Sequence, residues 1–221
     1  MAPSSPNVKE DNGIMNLKRW FFLFWTCMAV GAVVSVISGL IMQWTDPSFG
    51  FMGLEAAGFN AFMMAMVGLL IGAFSQMGFF AYLTLNYIAL SIFRKSYLWN
   101  ALQGYTTVFA VFGLGYMLYE QRTNNWFFWV LPLVLLICSL AVAYVKAKQT
   151  KPSAFVPTAF LMFFVTFVEA WPALQGETNI SAIVFMIIPL FVCNAYQILM
   201  LHRLLQKNTT TDSATSAKPV A

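Results

Sequence analysis

Between Glu55 and Arg94 the chain carries no charged side chain, an unbroken run of 38 residues at positions 56–93. A helix crossing a bilayer needs about 20 apolar residues, at a rise of about 1.5 Å each. The run is too long for one ordinary crossing and only just long enough for two. The choice fixes which side of the membrane every later loop faces.

Cutting the remaining chain at its charges leaves runs at 20–45, 96–119, 123–145, 152–168 and 178–201. Their lengths of 26, 24, 23, 17 and 24 residues each suit a tilted spanning helix. Charged residues make up 9% of the chain and the mean hydropathy is +0.72, whereas soluble domains carry roughly a quarter charged residues. Long, uniformly apolar runs exclude a transmembrane β-barrel, whose strands are short and alternating. No polar segment is long enough to enclose a soluble core. The first run follows Lys18-Arg19 but far exceeds the apolar stretch of a signal peptide, so it stays as an anchor.

Cationic loops stay on the cytoplasmic side, and this resolves the long run. If 56–93 crosses once, eleven of the twelve Lys and Arg residues lie inside and only Arg122 lies outside. If it crosses twice, only Lys9, Lys18, Arg19 and Arg122 lie inside, against eight outside. A single crossing is expected. The fold class is therefore all-α integral membrane: a six-transmembrane helix bundle with both termini cytoplasmic and a long second helix. Spans fall at about 20–44, 56–83, 97–119, 126–145, 154–171 and 180–201 within a domain at 16–207. Polar tails at 1–15 and 208–221 are expected to be disordered. The net charge of +4 faces anionic lipid of the bilayer rather than nucleic acid.

Small or polar residues recur along the long helix at Ala57, Ala61, Ala65, Gly68, Gly72 and Ser75, and the spacing continues through Phe79, Tyr82 and Asn86. A period near 3.5 marks a seam between neighbouring helices, which predicts one nearly continuous, centrally placed helix. Gly78 is a place where it could kink, and 84–93 should extend past the hydrocarbon. Gly68 and Gly72 have GxxxG spacing, which serves internal packing or contact with a partner's membrane helix. Pro132 and Pro189 should bend the fourth and sixth spans.

Chemistry at depth needs titratable groups there, and the central third of every span lacks them. Glu169 is the nearest candidate and is expected to snorkel to the outer interface. His202 stands alone, and Cys27, Cys138 and Cys193 are unpaired and far apart, so no metal site or disulfide is expected. No catalytic residue and no cofactor is implied. Uncharged polar side chains do cluster towards the cytoplasmic half: Asn86, Asn100, Gln103, Asn194 and Gln197, with Gln76 nearer mid-depth. Amides in lipid must find partners. They form either interhelical hydrogen bonds or a wet recess open to the cytoplasm.

The stretch SQMGFFAYLTLNYIALSIFRKSYLWNALQ, 75–103, resembles the central block of the KinB-signalling pathway activation (KbaA) proteins of endospore-forming bacteria. LKRWFFLFWTCMAVGAVVSVISGLIMQW, 17–44, resembles their first helix. The resemblance covers roughly 17–119 and beyond that is one of hydropathy. It implies a non-enzymatic accessory in the bacterial cytoplasmic membrane that activates a membrane sensor histidine kinase feeding the sporulation phosphorelay. Ser75, Gln76, Gly78, Phe79 and Tyr82, with Leu98, Trp99, Asn100 and Gln103, form the block where function is expected. The alternative is a small transporter, or a receptor for a signal molecule, using the polar recess.

Overall fold

In lipid the backbone can satisfy its own N–H and C=O groups within a single segment only as a helix. A computed structural model of the chain describes residues 8–45, 57–93, 95–122, 126–176 and 180–216, with side chains at 20–44, 57–93, 95–119, 128–175 and 181–201. The helices are α1 (Val8–Thr45), α2 (Ala57–Ile92), α3 (Ser96–Arg122), α4 (Val130–Gln149), α5 (Phe155–Phe160), α6 (Thr166–Gly176) and α7 (Ile180–Ser216). A 3-10 turn at Trp126–Trp129 leads into α4, and another at Pro152–Ala154 leads into α5. A π-helical turn, Leu161–Val165, joins α5 to α6, so these three pieces form one apolar rod.

Six helical stretches are long and apolar enough to cross a membrane: Trp20–Trp44, Ala57–Ile92, Ser96–Tyr119, Val130–Gln149, Pro152–Gln175 and Ser181–Leu201. Of the 38-residue run, Ala57–Ile92 forms a single helix, unbroken at Gly78. The backbone of α1 and α7 is also helical at 8–15 and 208–216, where composition predicts disorder. Extending an existing helix adds a hydrogen bond per residue without a new nucleus, and a long apolar span supplies that start. The outermost ends of both tails, the interhelical segments 46–56, 123–125 and 177–179, and Arg94 lie outside the described residues.

α1 lies along α2 and α7, and α2 also meets α7. The fifth span, not α2, occupies the centre: α5, the π turn and α6 between them touch α2, α3, α4 and α7. Just over half of the fifth span and half of the sixth are buried, against little more than a quarter of each of the first four. The second helix is peripheral because one side of it is bulky and apolar. Phe59, Phe62, Met66, Leu70, Phe74 and Met77 all face outwards. Its buried track follows the expected seam from Gly68 through Gly72, Ser75, Phe79 and Tyr82. Nearer its start the track shifts to Asn60 and Met64, and Ala57 is exposed.

Two apolar clusters hold the bundle. One joins Leu114 and Leu118 of α3 to Leu135, Phe163, Phe167, Leu174, Ile183 and Leu190. The other joins Phe79 and Tyr82 of α2 to Phe160, Leu161, Met162 and Ile198. Pro189 lies inside α7, as expected. Pro132 is instead the third residue of α4, in the first turn, where its missing N–H has no helical partner to lose.

Candidate functional site

Hydrogen bonds converge where α2, α7 and the fifth span meet. Ser75 Oγ donates to Asn194 Oδ1 at 2.9 Å. The Asn194 amide nitrogen donates both to Thr166 Oγ1 at 3.0 Å and to Glu169 Oε2 at 2.8 Å. Gln197, one turn further along α7, donates through Nε2 to Ser75 Oγ at 2.7 Å and to Cys27 Sγ at 3.0 Å. Cys193 Sγ points at the Cys27 carbonyl at 3.7 Å, and Cys27 Sγ at the Gly72 carbonyl at 3.9 Å. Ser75, Asn194, Gln197, Thr166, Cys27 and Cys193 are all buried. The cluster therefore ties α1, α2, α7 and the fifth span by polar contacts sealed within apolar packing.

Local structure explains how these groups meet. Thr166 and Glu169 stand one turn apart at the start of α6, immediately after the π turn; such turns recur at functional sites. Glu169 then lies directly against Gly78, where a Cβ would overlap its Oε1. Gly78 is thus not a kink but a notch that accommodates a carboxyl group. Glu169 does not snorkel out of the bundle; it turns inwards. Its distance from the helix centre, read along the sequence, gave no sign of the pocket cut by Gly78 or the donor offered by Asn194.

The remaining expected positions take other places in the bundle. Gly68 and Gly72 face α1: a Cβ at Gly68 would come within 2.7 Å of Ala32 Cα, and one at Gly72 within 2.8 Å of Met28 Cα. Phe79 is buried in the second apolar cluster, and Tyr82 donates from its hydroxyl to the Pro157 carbonyl at 3.2 Å. Asn86 Oδ1 accepts a bond from the Trp99 indole N–H at 2.8 Å, and Trp99 stacks on Phe93. Asn100 is half-buried. Gln76 and Gln103 are buried with neither amide atom hydrogen-bonded. Of the five amides expected together, the hydrogen bonds join Asn194 and Gln197 to Ser75, while Asn86 pairs with Trp99 instead.

Sequence reasoning missed Thr166, Cys27, Cys193 and the inward position of Glu169 as members of this cluster. The i, i+3 spacing of Thr166 and Glu169 was the one local signal available. It also missed Lys146, assigned to a cytoplasmic loop, which is buried and donates from Nζ to the Ile198 carbonyl at 2.7 Å. Among the described residues no group of three or more His, Cys, Asp and Glu side chains could hold a metal ion. An outward-facing groove of about 380 Å³, lined by Phe112, Tyr116, Tyr119, Phe128 and Trp129, is aromatic and separate from the polar cluster.

The family described as KinB-signalling pathway activation in sporulation (KbaA) matches residues 31–204, well past the stretch where motifs alone carry the likeness. The chain is 36% identical over 198 residues to the KinB-signaling pathway activation protein of Bacillus subtilis (strain 168), spanning 86% of this chain and 98% of that protein. No solved structure matches. With most of its length matched, this multi-pass membrane protein belongs to the KbaA family.

Proposed function

We propose that the chain is a non-enzymatic accessory that activates a KinB-type sensor histidine kinase by helix–helix contacts within the bacterial cytoplasmic membrane. The observation that carries this is the match to the Bacillus subtilis relative along 98% of its length, since that protein is named for activating the KinB pathway. Six crossings bring both ends of the chain to one side, and the Lys and Arg distribution favours the cytoplasm. The outward faces of α2 and α3 supply the contact surface, because the glycine and amide positions of α2 are already occupied within the bundle. An accessory that stabilises the kinase's active arrangement needs little energy. A difference of about 1.4 kcal/mol between states changes the active-to-inactive ratio tenfold.

Photocrosslinkers placed in sporulating cells at Phe74, Met77, Phe109 and Phe112, all exposed, test the proposal. Adducts with the kinase are expected from these sites and not from the buried Phe79 and Leu114. Absence of a kinase adduct at every outward site would sink it. The second reading, a transporter or receptor, is favoured by the ionisable Glu169 placed inside the bundle against Asn194, since such groups mark solute and ion paths. Solute uptake into proteoliposomes that Asn194→Leu abolishes would establish it; impermeable proteoliposomes would remove it.

A further inference from the structure

Glu169 takes no part in the kinase contacts proposed above, yet it is the carboxyl group around which the polar cluster is built. Its Oε2 accepts one hydrogen bond, from Asn194. Its Oε1 is occluded from solvent and has no hydrogen-bond donor. Burying a carboxylate oxygen without a partner is costly, and an ionisable group inside a membrane bundle marks a functional site by default. Gly78 leaves the space that this oxygen fills, since any side chain there would displace it.

The hydrogen bonds leading to Glu169 all run one way. Gln197 donates to Ser75, Ser75 donates to Asn194, and Asn194 donates to Glu169. Each linking group is a hydroxyl or an amide, able to donate or accept at the same position by rotating or turning over. The opposite sense uses the same side chains: a Glu169 O–H donates to the Asn194 carbonyl, the Asn194 amide to Ser75, and Ser75 to the Gln197 carbonyl. That carbonyl oxygen, Oε1, has no partner in the present sense, although Gln197 is fully buried.

We propose that Glu169 is a proton-binding site, and that the bound proton reverses the hydrogen-bond chain linking the fifth span to α2 and α7. The step forms one O–H bond at the Glu169 carboxylate and breaks one in a hydronium ion or buffer acid; no electrons are exchanged. The reversal reaches α1, because Gln197 also donates to Cys27. Among the described residues, four other buried titratable side chains lie on the elements packed around this cluster. They are Cys27 on α1, Cys193 on α7, Tyr82 on α2 and Lys146 on α4, the last held at the Ile198 carbonyl. None carries a carboxyl group, so the carboxyl signal separates Glu169 from all of them.

Infrared difference spectroscopy of the full chain in liposomes, taken between alkaline and acid buffer, tests this. A carboxylic acid C=O band that appears on acidification is expected, with paired changes in side-chain amide bands. Glu169→Gln should remove one component of the carboxyl band, leaving that of the other seven Asp and Glu side chains, and should abolish the amide change; Glu169→Asp should retain the component at a shifted position. Ser75→Ala, which interrupts the chain beyond Asn194, should keep the carboxyl band and lose part of the amide change. A wild-type carboxyl signal unchanged by Glu169→Gln would overturn the proposal, as would a carboxyl band with no amide change. A signal that moves when sodium replaces choline at fixed pH would assign the seat to a metal cation and would equally overturn it.

Discussion

The second helix is held in two different ways on its two inner sides. Towards α1 it is held by the absence of side chains. Gly68 and Gly72 bring its backbone against Gly31, Ala32 and Met28, so closely that no Cβ fits. Towards α7 and the fifth span it is held by polar side chains: Ser75 bonds to Asn194 and Gln197, and Gly78 accommodates Glu169. In lipid, hydrophobic burial does not drive helices together, and both devices answer that lack. Close backbone approach gathers many dispersion contacts and has one geometry, because neither side can yield. A hydrogen-bond chain is weaker per contact but can exist in more than one arrangement. The first contact fixes α2 against α1; the second can carry a change of state.

The largest effect should come from breaking the rigid side. Leucine at Gly72 would drive atoms into the Met28 and Cys27 backbone, and leucine at Gly68 into that of Gly31 and Ala32. Overpacking a site that can relax costs about 1–3 kcal/mol; here both walls are main chain, so a loss of about 3 kcal/mol or more is expected. Thermal unfolding in detergent, with folded yield as a second readout, measures it. A Gly72→Leu protein as stable as wild type would show that α1 and α2 are free to separate.

Breaking the polar side should cost less. Asn194→Leu removes the one donor to Glu169 among the described residues and the acceptor for Ser75, leaving the carboxyl group without that bond. A loss of about 2 kcal/mol is expected. A double-mutant cycle with Glu169→Leu should recover about half of that, since the orphaned group is then gone as well. Additive losses would mean that the two side chains do not interact. Gln197→Leu deletes two donated bonds but strands no charge, and about 1 kcal/mol is expected, within the range for hydrogen bonds between membrane helices.

The same contrast explains what could be read from the chain. The six spans, the single long α2 and its seam from Gly68 to Tyr82 are local patterns, visible as charge-free runs and a fixed period. The polar contacts are not local. Ser75 meets Asn194 across 119 positions and Gln197 across 122, and no spacing rule pairs residues that far apart. Glu169 was misplaced because its depth was judged from its own helix, whereas its position is decided by Gly78 on another. The central place of the fifth span was also hidden. It is the run most interrupted in sequence, with Pro157, Pro172 and Glu169, and a π turn inside it leaves no signature in hydropathy.

The smallest effect on stability is expected on the third, outward side of α2, and there the comparison becomes functional. Met77 is 68% exposed and points away from both inner contacts. Lipid chains are as apolar as the side chain they would replace, so Met77→Ala should change unfolding by no more than about 0.5 kcal/mol. If that face meets the kinase, the same substitution removes contacts that favour its active arrangement. A loss of about 1 kcal/mol there would lower the active-to-inactive ratio about fivefold. A sporulation reporter, read at matched protein level, separates the two quantities. Reduced output with an unshifted melting temperature places the signalling contact on the side of α2 that holds nothing else together. Unchanged output from Met77→Ala and Phe74→Ala together would move that contact off α2 and leave the helix with its two inner duties alone.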